Sequence, residues 1–483
     1  MNYLLILKLM GVVFKTEALL MIVPLVISFI YQSGDGIYFI YTAIPLFIFG
    51  YCLTKIKPKS TVFRSKEGFA TVALSWIFMS VFGAIPFYLS GYFNTFIDCF
   101  FETVSGFTTT GSSILTNVEA VPKGLVFWRS FTHWVGGMGV LVFVLAIIPN
   151  LNGSAVHLLK AESPGPVTGK FVPKIRESAK ILYTIYFMMS VVQVILLLAS
   201  GLSLYDSLIT TMGSAGTGGF SNLNLSVGGY NNVAAEVITT IFMLLFGVNF
   251  NIYYYITSKQ LGLVKSNEEL KLYFLIAFAS MLLIAGNIMP MYGGSFLTAL
   301  RYSSFQVSSI MTTTGFATTD FHLWPMFSKS ILLLLMIVGA SAGSTGGGIK
   351  VSRLLILFKA IRREIGLIIH PRRVQSVKLE NETLDDRVLT NVLVFLSAYA
   401  LIALVSTFLI SIDGHDFETT ATAVLAALGN IGPGFSLVGP MGNFSVFSSF
   451  SKLVLSFCML AGRLEIFPML ILLSPRVWRN KAV

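Results

Sequence analysis

Residues 310–321 read IMTTTGFATTDF. Five threonines (Thr312, Thr313, Thr314, Thr318 and Thr319) surround Gly315 in a chain that is otherwise oily. Backbone broken by glycine cannot face lipid, because its peptide groups would lack partners there. The stretch has counterparts along the chain: TTTGSS at 108–113, GTGGFSN at 216–222 and GNIGPGF at 429–435. Each is preceded by helix-compatible, semi-apolar sequence: NTFIDCFFETVSG, SLYDSLITTMGSA, LTALRYSSFQVSS and HDFETTATAVLAA. Roughly 10–14 residues is too short to cross a bilayer but suits a re-entrant half-helix. The loop glycines Gly111, Gly219, Gly315 and Gly432 are 108, 96 and 117 residues apart. The chain therefore reads as a fourfold repeat of span, half-helix, loop and span.

Composition agrees. Of 483 residues, 55% are hydrophobic and 11% charged, with mean hydropathy +0.79. Apolar runs fall at 4–30, 37–54, 68–90, 125–149, 180–201, 233–258, 270–290, 328–358, 388–411 and 447–473. That pattern predicts ten helical spans rather than a β-barrel, which would show short alternating segments. The expected organisation is two N-terminal helices over 1–60, outside the pore, then repeats over 61–160, 161–265, 266–375 and 376–483. The third is expected to have a broken second helix. The fold class is an all-α polytopic membrane protein in pseudo-fourfold arrangement about one axis.

The formal charge is +11. The basic residues sit in every second connection: at Lys55, Lys57, Lys59, Arg64 and Lys66; at Lys160, Lys170, Lys174, Arg176 and Lys180; at Lys259, Lys265 and Lys271; from Lys359 to Arg387; and at Arg476, Arg479 and Lys481. That distribution is membrane topology rather than nucleic-acid binding, and it puts both termini in the cytoplasm. Cys52, Cys99 and Cys458 have no metal-ligand spacing and read as small buried hydrophobes. The first apolar segment reads as a retained span, not a signal peptide.

Four non-helical loops at membrane depth are tolerated if they are buried together or line water. Converging on one axis, their carbonyls can replace the hydration shell of a cation. Glycine permits the backbone angles, and threonine hydroxyls add oxygen ligands or anchor the loop from behind. The half-helices aim their partial negative ends at the pathway. Glu102 and Asp320 lie near the loops, but no carboxylate recurs in all four, so a calcium-type acidic ring is not expected.

The run 328–358 is too long for one straight span and is interrupted by GASAGSTGGGIK at 339–350. Glycine destabilises a helix by about 1 kcal/mol relative to alanine, so the segment should be a flexible intramembrane loop. It fails the phosphate-binding P-loop pattern: Ile349 separates Gly348 from Lys350, and no strand precedes it. In the last span, Arg463 and Glu465 are two residues apart and do not share a helix face. A mid-membrane arginine needs a partner or water, so Arg463 is expected to face the pathway near the 343–348 loop. His133 beside Trp134 reads as a packed pair, not a proton relay. PGPVTGK (164–170) reads as a cytoplasmic turn.

These loops, together with GSTGGGIK (343–350) and GRLEIF (462–467), resemble the Trk/Ktr/HKT superfamily of potassium transport proteins. The likeness covers essentially the whole chain, and the two extra N-terminal helices favour its TrkH branch. The resemblance implies a K+ selectivity filter at Thr109, Thr110, Gly111 and Ser112; Thr217, Gly218, Gly219 and Phe220; Thr313, Thr314, Gly315 and Phe316; and Asn430, Ile431 and Gly432. Pro433 leaves the register of the fourth loop open between Gly432 and Gly434. The resemblance further implies a gate at Gly343, Ser344, Thr345, Gly346, Gly347 and Gly348 with Arg463, and K+ as the transported ion with no covalent cofactor. It implies a homodimer in the bacterial inner membrane. The basic 359–387 stretch would meet a TrkA-type cytoplasmic subunit, which would carry any nucleotide.

Three other readings are weaker. A proton- or sodium-coupled symporter would need a titrating intramembrane carboxylate, for which Asp98 and Glu465 are the candidates. A membrane enzyme would need a catalytic constellation, and none is evident. An inverted-repeat transporter would show two long halves rather than four short units.

Overall fold

The computed structural model describes residues 1–58, 65–139, 175–372, 375–380 and 382–478. The end of the 125–149 run, the 164–170 turn and the basic residues Lys59, Arg64, Lys160, Lys170, Lys174, Arg479 and Lys481 lie outside the described residues.

Helices α1 (Tyr3–Leu20), α2 (Ile22–Tyr31) and α3 (Gly36–Thr54) form the N-terminal pair of spans. The two legs touch backbone to backbone: a Cβ on Gly11 would lie 2.8 Å from the Gly50 carbonyl, and one on Gly50 2.8 Å from the Gly11 carbonyl. Small residues at such a crossing substitute van der Waals contact for the hydrophobic drive that lipid removes.

One unit then recurs four times. The first is α4 (Ser65–Gly83) with α5 (Ile85–Ser90), half-helix α6 (Phe96–Phe107) and α7 (Lys123–Gly137). The second is α8 (Ile175–Ala199), half-helix α9 (Leu204–Gly216) and α10 (Val233–Phe246) with α11 (Phe250–Thr257). After the short connector α12 (Leu261–Ser266), the third is α13 (Glu268–Ile288), half-helix α14 (Phe296–Met311) and α15 (Met326–Val338) with α16 (Val351–Ile369). A two-residue β-ribbon, Lys378–Leu379 against Glu382–Thr383, leads to the fourth: α17 (Asp386–Ile410), half-helix α18 (Phe417–Gly429) and α19 (Ser449–Arg463) with α20 (Phe467–Leu473).

Six helical stretches among the described residues are long and apolar enough to cross a membrane: 3–31, 36–54, 66–90, 179–199, 268–292 and 386–413. They are the two N-terminal spans and the first helix of every unit. The second helices differ. Besides the break between α15 and α16, α10 and α11 bend by 90°, and α19 stops at Arg463 before α20 begins. The fourth break needs left-handed backbone at Glu465 (φ 55°) and Ile466 (φ 69°), which no local sequence signal announces in a β-branched residue.

Exposed apolar residues such as Phe29, Leu404 and Phe408 stud the outer helices, as a lipid-facing surface requires. Cys99 and Cys458 are buried, but Cys52 is exposed on α3, which corrects the reading of all three as buried.

Candidate ion pathway

Each half-helix begins on a capping side chain. Thr95, Ser203, Ser295 and Asp416 accept hydrogen bonds from the amides of Asp98, Asp206, Thr298 and Thr419. The hydroxyl and then the amide of Thr419 hold the Asp416 carboxyl below the usual carboxylate range.

The four also end alike. Thr109, Thr217, Thr313 and Asn430 take left-handed backbone with φ of 55°, 55°, 59° and 53°. The following amide reaches back five residues: Thr110 to Ser105 O (2.9 Å), Gly218 to Gly213 O (2.8 Å), Thr314 to Ser309 O (2.8 Å) and Ile431 to Ala426 O (2.9 Å). This is a Schellman cap, which ordinarily carries glycine at the left-handed position. A β-branched residue there costs roughly 1–2 kcal/mol, so the surroundings must impose the conformation.

Two residues after the first left-handed position the chain turns left-handed again, at Gly111 (φ 83°), Gly219 (76°), Gly315 (82°) and Gly432 (99°). Gly434 is not left-handed, so the fourth loop matches the other three at Gly432. The glycines then close a ring. A Cβ on Gly111 would strike the Gly218 carbonyl, one on Gly219 the Thr314 carbonyl, and one on Gly315 the Ile431 carbonyl; one on Gly432 would lie 2.9 Å from the Thr110 carbonyl. Each loop thus abuts the next in chain order and the fourth meets the first, where Ser112 Oγ also donates to Gly432 O (3.1 Å). All four glycines line one cavity of about 170 Å³, with Arg129 and Pro433 on its wall.

The 339–350 loop lies beneath this ring. The Gly347 amide donates to Thr313 Oγ1 (2.6 Å), and a Cβ on Gly346 would lie 2.8 Å from Thr312 O. On its flank, the Ser341 amide donates to Gly247 O (3.1 Å) and the Phe250 amide to Gly343 O (3.0 Å), using the bend between α10 and α11. Glu269, at the start of α13, accepts from the amides of both Ala342 (2.7 Å) and Ser352 (3.1 Å). The segment expected to be a flexible loop is thus tied down at both ends and in the middle.

Arg463 meets that loop as expected. Its guanidinium donates to Thr345 O (2.7 Å), Gly136 O (2.5 Å) and Gly137 O (2.7 Å). It joins the end of α19 to the carbonyl end of α7, where a cation is favoured, and to the loop. Glu465 does not pair with it; the Glu465 carboxylate binds Arg353 on α16 (2.6 Å).

Charges also tie each second helix to the half-helix of the next unit. Glu236 on α10 binds Arg301 on α14 (2.6 Å), Lys329 on α15 binds Glu418 on α18 (3.3 Å), and Lys452 on α19 binds Asp98 on α6 (2.6 Å). At the remaining interface the Lys123 ammonium of α7 lies 5.5 Å from the Tyr205 ring of α9. Within the first unit, Glu102 pairs with Arg129 (2.5 Å), whose guanidinium also donates to Ser221 O (3.0 Å) beside the second loop.

A profile of the TrkH family, described as cation transport protein, matches residues 39–297 and 295–480. The chain belongs to the TrkH family. It is 36% identical over 469 residues to the Trk system potassium uptake protein TrkH of Salmonella typhimurium, covering 95% of this chain and 96% of that protein. It is 34% identical over 490 residues to the protein of the same name from Vibrio parahaemolyticus, covering 98% and 99%. The crystal structure of the potassium transporter TrkH from Vibrio parahaemolyticus superposes with TM-score 0.89 at 31% identity, over 99% of this chain and 100% of that one.

The four loops that hold the fifteen residues named from sequence abut one another through Gly111, Gly219, Gly315 and Gly432, and the 343–348 segment bonds to Thr313 and to Arg463. Sequence reasoning missed Glu269, Arg353 and the charge ties between units. The available signal was the presence of ionised residues inside apolar segments, each of which demands a partner.

Proposed function

We propose that the chain takes up K+ across the bacterial inner membrane, passively, through the ring formed by the four loops. The carbonyls of Thr110, Gly218, Thr314 and Ile431 replace water around the ion, and the glycines let neighbouring loops approach closely enough to fix the spacing. The single observation that carries this reading is the closed contact order of Gly111, Gly219, Gly315 and Gly432. The helix C-termini behind the ring favour a cation, and the neutral ligand set suits one that must leave again.

The 339–350 loop and Arg463 form the gate. Opening needs the bonds to Thr313, Glu269 and Arg463 to be exchanged, which favours a two-position element over a slack one. Asp98 and Glu465, the carboxylates a coupled symporter would use, are each bound to a cation, which favours passive flow. The exposed Arg362, in the C-terminal half of α16, and Arg372, beyond its end, suit a cytoplasmic regulatory subunit of the TrkA type acting on a homodimer. Both termini then lie in the cytoplasm.

The test is the K+/Na+ reversal potential of the full chain in liposomes, with and without Gly315→Ser. A potential near the K+ equilibrium value that collapses in the variant supports the reading. A wild-type ratio in Gly315→Ser overturns it.

A further inference from the structure

We propose that His133 sets the geometry of the second loop of the ring and, through it, the preference for K+ over Na+; this rests on the ring being the ion filter. In the first and third loops the residue before the glycine anchors the loop from behind. Thr110 Oγ1 is 2.8 Å from Thr108 Oγ1, which donates to Val104 O (2.7 Å). Thr314 Oγ1 is 2.8 Å from Thr312 Oγ1, which donates to Ser308 O (2.6 Å). In the fourth loop the bulk of Ile431 fills the place.

The second loop has Gly216 and Gly218 where the first has Thr108 and Thr110. It has neither hydroxyl and no side chain behind the ring, and Gly218 and Gly219 run consecutively. Two adjacent glycines are a poor way to hold a carbonyl still.

His133 occupies the vacant place. It comes from α7, in the neighbouring unit, and is wholly buried. A Cβ on Gly218 would lie 2.5 Å from its Nδ1 and 2.6 Å from its Cδ2. The ring stacks on Phe220 with centroids 4.1 Å apart and planes 27° apart, and the Arg129 guanidinium lies 3.4 Å from the same Phe220 ring. Nδ1 is 2.7 Å from Gly106 O, near the end of the first half-helix. A carbonyl only accepts, so Nδ1 carries the proton and donates. The imidazole is thus pinned to one half-helix and buttresses the loop of the next. The carbonyl it backs, that of Gly218, is the one Gly111 abuts. His133 is a positioning residue: it acts on the ion through that carbonyl.

The experiment is the K+/Na+ permeability ratio from reversal potentials of the full chain in liposomes, for His133→Ala, Gly218→Thr, the two combined, and Gly315→Ser. His133→Ala should lower the ratio roughly tenfold, equivalent to about 1.4 kcal/mol. Gly218→Thr alone should abolish selectivity or flux, because its side chain and the imidazole claim one volume. The combination, which gives the second loop the threonine of the first and third, should recover much of the wild-type ratio. A general packing role would make the two lesions add rather than cancel. An unchanged ratio in His133→Ala, with Gly315→Ser impaired, overturns this proposal and spares the filter. If His133→Ala does not fold, a combined variant no better than Gly218→Thr overturns it equally. An unchanged ratio in Gly315→Ser removes the filter reading and this proposal together.

Discussion

The hydroxyl of Thr313, in the third loop of the ring, accepts a hydrogen bond from the amide of Gly347, in the 339–350 loop, at 2.6 Å. Both groups are buried. Thr313 is also one of the left-handed threonines that need outside support. The proposed gate therefore braces the proposed filter directly, and the two cannot move independently. Removing the acceptor leaves a buried amide unpaired, at a cost of roughly 1–3 kcal/mol. Thr313→Val should accordingly raise the open probability of the pathway in single-channel recordings, whereas Thr313→Ser, which keeps the hydroxyl, should not. An open probability unchanged in Thr313→Val would uncouple the two loops.

The ring glycines should not be equally sensitive. A Cβ on Gly111, Gly219 or Gly315 would run into the neighbouring carbonyl, whereas one on Gly432 would stop 2.9 Å from it. All four are left-handed, so alanine costs roughly 1–2 kcal/mol of backbone strain at any of them. The extra steric penalty separates them. In K+ uptake assays on a transport-deficient host, Gly432→Ala should retain more flux than alanine at the other three. Equal loss at all four positions would mean that strain alone, and not the approach of the next loop, decides the outcome.

Much of this arrangement is legible in the sequence, because the loops advertise themselves: threonine and glycine recur at a fixed distance after stretches too short to span. The first helices of the units were equally plain, being long and uninterrupted. The breaks at Gly247–Asn249 and at Leu464–Ile466 were not, because they depend on contacts with the 339–350 loop and its surroundings rather than on local composition. The ion pairs were hidden for a related reason. Lys452 and Asp98 are 354 residues apart in sequence, and nothing near either names the other. His133 looked like a packed residue and is one. What it backs, Gly218, is visible only once two units are side by side.

Arg463 should resist conservative replacement. Its guanidinium serves three carbonyls, those of Thr345, Gly136 and Gly137, on two different elements. Lysine offers a point charge on a flexible stem and cannot reproduce that fork. Both Arg463→Lys and Arg463→Ala should release the loop, raising K+ leak through purified protein in liposomes, with alanine the larger effect. A leak in Arg463→Lys equal to wild type would show that the charge, not the hydrogen-bond geometry, is what closes the pathway.

Glu269 makes the complementary contact from the other side. One carboxylate oxygen takes the amides of Ala342 and Ser352, the first inside the loop and the second in the first turn of α16. It thereby pins the loop start and the first turn of α16. Glu269→Ala should raise leak in the same liposome assay, and Glu269→Gln, which retains an acceptor oxygen, should fall between it and wild type. If the two variants leak equally, the negative charge rather than the pair of hydrogen bonds holds the loop.

A buried ion pair joins the first and fourth units, alongside the contacts of their loops. Asp98 at the start of the first half-helix and Lys452 on the last second helix are both largely buried and 2.6 Å apart. Asp98 also accepts from the Thr95 amide (3.2 Å), completing the cap of α6. Removing one member of a buried pair strands the other charge, typically at roughly 3–5 kcal/mol, whereas replacing both with apolar residues is often neutral. Lys452→Met should therefore lower the melting temperature in detergent markedly. Adding Asp98→Leu should recover most of the loss, less the share due to the capping bond, worth about 1 kcal/mol. Lys452→Met should also lower K+/Na+ selectivity, and the double variant should restore it, because the pair joins the first and fourth units, whose loops meet at Ser112 and Gly432. If Lys452→Met melts like wild type and selects like wild type, the first and fourth units are held by packing alone, and the charge ties around the ring are incidental to it.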